Sequence, residues 1–269
     1  MVQGVTAVIP ARSGSVAIPQ KNIALIHGYP LLAYSIAAAR QVDTITRVIV
    51  STDSDIFAYV AKHYGAEVPV MRPPELATAE STDREWAVHL LTYLAREEGG
   101  IPEFIVHLRP TTPLRMPEVI VRAIDLLEHT DPATSLRSVS SLADPYEKLF
   151  RMDKGHFLHT LAGNHPDQQS NRARQEFTPT YRPDGYVDVL RTATILHGGF
   201  HGGDIYGFES PADFPVVEID VPADLMVARK VVVDHPLLRW LGQRYPPVTA
   251  DSTLMCKYPS PWGIEQRSG

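Results

Sequence analysis

Residues 9–22 read IPARSGSVAIPQKN, two cations (Arg12 and Lys21) around a Ser13-Gly14-Ser15 step at the end of an apolar run. The chemistry such a stretch offers is anion binding. Its backbone N–H groups can wrap phosphate oxygens while Arg12 and Lys21 supply fixed positive charge, so polyphosphate is the natural guest. On residue types alone it also reads as a solvated surface loop. It has neither the GxGxxG of a dinucleotide fold nor the GxxxxGK[ST] of a P-loop, which disfavours both classes. A second cluster, HGGFHGGD, offers His197, His201 and Asp204. Four-residue histidine spacing among glycines, outside a helix, reads as a loop rather than a zinc site. No GxSxG elbow accompanies it, so a hydrolase is disfavoured.

The elements that must position these residues follow from composition and periodicity. A chain of 269 residues with 44% apolar content can bury a sizeable core. Its net charge of -6 provides no global basic field, so nucleic acid is not an expected partner and any anion must be bound locally. The single cysteine, Cys256, cannot form an internal disulfide, which suits a reducing cytoplasm. Neither a signal-peptide pattern nor a run of about 18 apolar residues is read, so the expectation is a soluble, unexported protein with no membrane partner.

Short β-rich runs alternate with helical patterns. Strands are expected over 5–9, 47–51, 67–70 and 104–108, and helices over 31–41, 55–64, 82–97 and 117–129. This alternation predicts an α/β fold with a mostly parallel, doubly wound sheet. SLRSVSS, EKLFRMD and GHFLHTL then read as antiparallel strands, residues 164–184 as a polar excursion, and VVEIDVPADLMVARKVVV as strand followed by helix. The stripe VARKVVVDHPLLRWL reads as core and interface. The expected organisation is one domain over 1–245, containing an excursion at about 140–205, and an irregular tail over 246–269. In open α/β sheets ligands sit beyond the carboxyl ends of the strands. That rule gathers the opening loop, STDSD and RPTTPLR at one rim.

Six stretches, IPARSGSVAIPQKN, VIVSTDSDIFAYVAKHYGAEV, MRPPELA, LRPTTPLR, TYRPDGYV and EIDVPADL, occur in the order and spacing of a known family. Through them the chain resembles the acylneuraminate cytidylyltransferases, which are CMP-N-acetylneuraminic acid synthetase-like. The resemblance implies a Rossmann-like nucleotidyltransferase with a dimerisation excursion, acting as a homodimer. It implies transfer of CMP from CTP to an acidic α-keto sugar, with release of pyrophosphate and a requirement for Mg²⁺. By resemblance Lys21 contacts phosphate, Arg12 and Asn22 hold the nucleotide with Ser13, Gly14 and Ser15, and Arg72, Ser81 and Asp83 lie near cytosine and ribose. Lys21, Arg12 and Asp220 would carry catalysis.

Glu218 and Asp220 would hold the metal, because alternate strand residues point to the same face and two carboxylates at i and i+2 can share one hard cation. Solvated acids before a helix N-cap is the other reading of that pair. Arg109, Thr111, Thr112, Lys148, Arg174, Arg182 and Asp184 fall on the acceptor side, and Phe200 and His201 align with a segment that reaches the partner subunit's sugar. The chain departs from the family at Val16 and Ala17 (SVAIP for SKGIP), at Arg109 for Gln, at Asp184 for Asn and at Glu218 for Asp. The new Arg109 and Asp184 either pair with each other or recognise a different acceptor. A nucleotide-sugar-binding protein with weakened catalysis is the alternative reading.

Overall fold

The computed structural model describes residues 2–15, 17–163, 171–211 and 216–249. The expectations placed on Val16, on residues 164–170, on Cys256 and on the tail beyond 249 lie outside these residues. Continuous apolar runs make the central strands, as two-sided burial demands. They are β1 (Val2–Pro10), β4 (Ile45–Ser51) and β5 (Pro102–His107), with β6 (Ser135–Ser141), β9 (Tyr181–Arg191) and β10 (Ile205–Glu209) completing one six-stranded sheet. A two-stranded turn, β2 (Leu25–Ile26) with β3 (Tyr29–Pro30), follows the first loop, and a hairpin, β7 (Phe150–Met152) with β8 (Leu158–Thr160), projects after β6.

The strand order is β10-β6-β9-β5-β1-β4. β1 pairs in parallel with β4 and β5, β10 pairs in parallel with β6, and β9 runs antiparallel between β5 and β6. Five strands therefore share a direction and deliver their carboxyl ends to one rim.

Helices cover both faces. On one side lie α1 (Leu31–Ala39), α2 (Asp55–His63), α4 (Pro117–Glu128) and α7 (Pro236–Arg244). Every residue of α1 is buried there, and Ala7 and Ile9 of β1 join the same core. On the other side α3 (Asp83–Glu97) lays Trp86, Leu90 and Leu94 against Val8, Ile105 and Leu190, with α5 (Thr192–Leu196) beside it. Helix α3 starts at Thr82, whose N–H donates to the Glu85 carboxylate at 2.5 Å, the return half of a capping box. Helix α6 (Pro222–Val231) buries only Ala228 of its own residues, and Val227 and Val233 are exposed. The apolar stripe read across this region is therefore core at Ala228, Val232, Leu237 and Leu241, while Val227, Val231 and Val233 are exposed.

Two expectations need correction. Residues 67–70 form no strand: Glu67 alone bridges Ile49, and Pro69 has no N–H with which to extend a ladder. VVEID forms no strand and is tied by the Ile219 N–H to the Thr111 carbonyl at 2.8 Å. Within 140–205, β9 belongs to the central sheet, and among the described residues the β7–β8 hairpin pairs outside it.

Candidate active site

The loop after β1 is shaped by its neighbours before it meets any ligand. Asp53, beyond β4, accepts from the Ser13 N–H at 2.8 Å and from the Ser13 hydroxyl at 2.5 Å. The Ser15 N–H turns back onto the Ser13 carbonyl. Two of the N–H groups expected to wrap phosphate are thus already engaged, that of Ser13 by Asp53 and that of Ser15 by the loop's own carbonyl. Asn22, itself buried, donates to the Arg12 carbonyl at 3.0 Å, and Arg12 reaches the Thr78 carbonyl at 2.8 Å.

Arg12, Ser15, Lys21 and Asn22 border a cleft of about 230 Å³ that also takes in Ser81, Asp83, Trp86 and Arg109. Arg72 forms its wall, donating from Nη2 to the Ser51 carbonyl at 2.6 Å. Burial pushes the Arg72 guanidinium down to about 10, so it is still a cation at neutral pH. Ser81 accepts from the Thr78 N–H at 3.0 Å. Asp83 accepts from the Trp86 indole at 3.0 Å and from Arg109 at 3.4 Å. Burial alone would raise the Asp83 carboxyl, but His107, the Trp86 N–H and Arg109 outweigh it and hold the group below the usual range.

A second cavity, about 660 Å³, opens along the same rim between β6, β9, β10 and the 216–220 segment. Arg182, Asp184, Ser140, Glu218 and Asp220 line it. Val217 and Ile219 are buried while Glu218 and Asp220 alternate outward, so both carboxylates share the cavity face. Burial and the Asp220 charge push the Glu218 carboxyl up. The two cavities meet where Lys21 Nζ donates to Asp220 Oδ1 at 2.9 Å.

Other expected positions fall differently. Asp184 does not pair with Arg109: it is buried and accepts from Ser138 at 2.6 Å, Ser140 at 2.7 Å and the Tyr186 N–H at 3.1 Å, while Arg109 turns to Asp83. Lys148 lies over the Phe177 ring and Arg174 sits in a short exposed turn, neither bordering the two cavities. Phe200 packs against Trp86 and His107 of its own chain, with His201 edge-on behind it. Thr111 borders the smaller cleft, and Thr112 is wholly buried beneath Gly185. Gly185 has a φ of +69°, and a Cβ there would come within 3.1 Å of the Thr112 hydroxyl, so the strand entry requires glycine. Gly14 is exposed. Among the described residues no group of three or more histidine, cysteine or acidic residues is gathered, and His197 Nδ1 lies 2.6 Å from the Ala193 carbonyl.

Sequence reasoning missed Asp53 and Arg115. Arg115, the last residue of RPTTPLR, is fully buried and donates to the carbonyls of Arg109, Gly185 and Tyr186. It pins the loop after β5 to β9. Its signal was present as an arginine inside a motif, but only the fold distinguishes a buried clamp from a ligand contact.

A mostly parallel sheet with a cation-lined cleft and an acidic cavity at its strand ends defines a Rossmann-like nucleotidyltransferase fold. The chain belongs to the cytidylyltransferase family, whose model matches residues 6–220. It is 39% identical over 139 residues, 52% of its length and 59% of the relative's, to the CMP-N,N'-diacetyllegionaminic acid synthase of Legionella pneumophila. It is 30% identical over 193 residues, 72% of its length and 43% of the relative's, to the N-acylneuraminate cytidylyltransferase of Escherichia coli. The chain spans about half the length of the curated relatives it matches. Among solved structures, a CMP:2-keto-3-deoxy-manno-octonic acid synthetase complexed with CTP superposes with a TM-score of 0.62 at 16% identity, covering 85% of this chain and 98% of that one. That likeness speaks to the fold. The family resemblance drawn from the six motifs holds.

Proposed function

We propose that the chain transfers CMP from CTP to a hydroxyl of an acidic α-keto sugar and releases pyrophosphate. The observation that carries this reading is the Lys21–Asp220 contact, which joins the phosphate-type loop to the acidic segment where the two cavities meet. In the reaction the acceptor oxygen bonds to the α-phosphorus, and the bond from that phosphorus to the oxygen bridging toward the β-phosphate breaks. The hydroxyl proton is lost to water, and the electron pair departs with pyrophosphate. Such a displacement needs alignment and charge neutralisation more than covalent help from the protein.

Arg12 and Lys21 neutralise the triphosphate, with Ser15 and Asn22 beside them. Arg72, Ser81 and Asp83 border the cytosine and ribose end. Glu218 and Asp220 suit Mg²⁺: both offer hard oxygens on one face, and the Glu218 carboxyl is raised first by burial and then by the Asp220 charge, a repulsion that a cation relieves. Bound there, Mg²⁺ would supply positive charge to the triphosphate. Arg182 and the Ser140 hydroxyl line the acceptor cavity, and the acids named in the relatives' titles support an anionic sugar. The homodimer belongs to this reading, supported by Met152, Phe157 and Leu158 exposed on the β7–β8 hairpin. No helix among the described residues is long and apolar enough to cross a membrane, and we place the reaction in the cytoplasm, with CTP as co-substrate.

The test is pyrophosphate release from CTP and Mg²⁺ against a panel of α-keto acid sugars, with Asp220→Asn alongside. Acceptor-dependent release that falls, with a weaker Mg²⁺ titration, in the variant supports the reading. CTP binding without release for any acceptor would favour a nucleotide-sugar-binding protein.

A further inference from the structure

Behind the smaller cleft three ionisable side chains stand in register across the sheet. His107 on β5 faces Asp188 on β9, and Asp188 faces Arg137 on β6. His107 Nδ1 lies 3.4 Å from Asp188 Oδ2, and Arg137 Nε lies 3.6 Å from Asp188 Oδ1. His107 is 1% exposed and Asp188 3%. Neither approach closes a hydrogen bond: both His107 ring nitrogens, Arg137 Nε and Asp188 Oδ1 are buried without a partner. Apolar residues of similar volume would hold such a position at least as stably. Stability therefore does not account for the row.

The row leads to the cleft. The His107 ring packs on Trp86 at 5.4 Å, and the Trp86 indole donates to Asp83, which in turn accepts from Arg109. Trp86, Asp83 and Arg109 all border the cleft. We propose that His107 and Asp188 are positioning residues of the nucleotide cleft, acting through Trp86 and Asp83 to fix the Asp83–Arg109 pair. They touch no substrate. Their work is to hold one carboxylate aimed, so that it meets nucleotide N–H or O–H donors in a single geometry and keeps Arg109 to one side. The inference rests on the function proposed above.

The experiment is calorimetric titration of CTP with Mg²⁺ into the parent protein, His107→Leu/Asp188→Leu, Asp83→Asn and the triple variant, with Tm recorded for each. The double variant replaces both buried polar partners with apolar groups, and Arg137, a quarter exposed, can turn to solvent. It should keep or raise Tm yet lose five- to tenfold in CTP affinity. Adding Asp83→Asn should bring no loss beyond that of Asp83→Asn alone, because the row acts through Asp83.

A folded double variant that binds CTP within twofold of the parent overturns the proposal, as does full additivity with Asp83→Asn. If the double variant does not fold, His107→Phe, which keeps the ring packing, takes its place: the same loss supports the proposal and parental affinity overturns it. A parent that takes up no CTP overturns the proposed function and this inference together. A parent that binds while its variants bind equally well overturns this inference alone.

Discussion

Lys21 holds the junction of the two cavities, with its side chain 15% exposed against 65% for Asp220. Under the proposed function this cation exchanges or shares Asp220 with the triphosphate. Lys21→Ala removes a charge-assisted hydrogen bond worth about 1.5 to 3 kcal/mol, so CTP turnover should fall by about tenfold or more, measured as initial pyrophosphate release. Arg109 and Asp184 show the limit of reading residues one at a time. Both were legible as departures from the family pattern, but their partners were not, since partner choice is set by tertiary packing: Asp83 takes Arg109, and Ser138 and Ser140 take Asp184. With no contact between them, Arg109→Gln and Asp184→Asn should be additive in stability within about 0.5 kcal/mol. A denaturation cycle that returns a coupling well above about 1 kcal/mol would contradict the separate assignments.

At the scale of elements, α2, α3 and α4 were legible because their apolar spacing is helical and their starts are marked, by Ser54, Thr82 and Pro117, whereas α1, buried at every position, and the three core strands were legible as continuous apolar runs. Strand β9 was not. It opens with Pro183 and Gly185, residues that argue against a sheet interior, and it fits only because a register shift between Arg137 and Val139 of β6 absorbs the irregularity. Helix α7 carries a testable device at its start. The His235 imidazole accepts from the Leu237 N–H at 3.2 Å, a contact that requires Nδ1 unprotonated, and burial pushes the ring down to about 4 from 6.5. Between those values the unfolded chain binds the proton and the folded chain does not, so the contribution of His235 to stability is complete above about pH 6.5 and is lost toward about pH 4. Thermal melts across this window should show the decline, and His235→Asn, which keeps an acceptor but does not titrate there, should flatten it.

For the whole molecule, one rim of one sheet gathers the loop after β1, the loops after β4 and β5, and the 216–220 segment. That convergence was legible from the strand-end rule and the motif order. The 660 Å³ cavity was not, since it is built by β6, β9, β10 and side chains far apart in sequence. The hairpin that carries Phe157 and Leu158, 71% and 56% exposed, is the surface proposed to meet a second copy. Sedimentation of the parent should give a dimer, and Phe157→Asp with Leu158→Asp should shift it to monomer; a monomeric parent would remove the homodimer from the account. Under the proposed function this rim makes a phosphodiester bond between CMP and an acidic sugar, and phosphorus NMR of CTP, Mg²⁺ and an α-keto acid sugar with the purified protein reads that bond directly. The three CTP resonances should be lost with matched growth of one sugar-linked phosphodiester signal and pyrophosphate; CTP left intact with every acidic sugar, or cleaved to free CMP or CDP with no sugar-linked phosphorus, would overturn the proposed function.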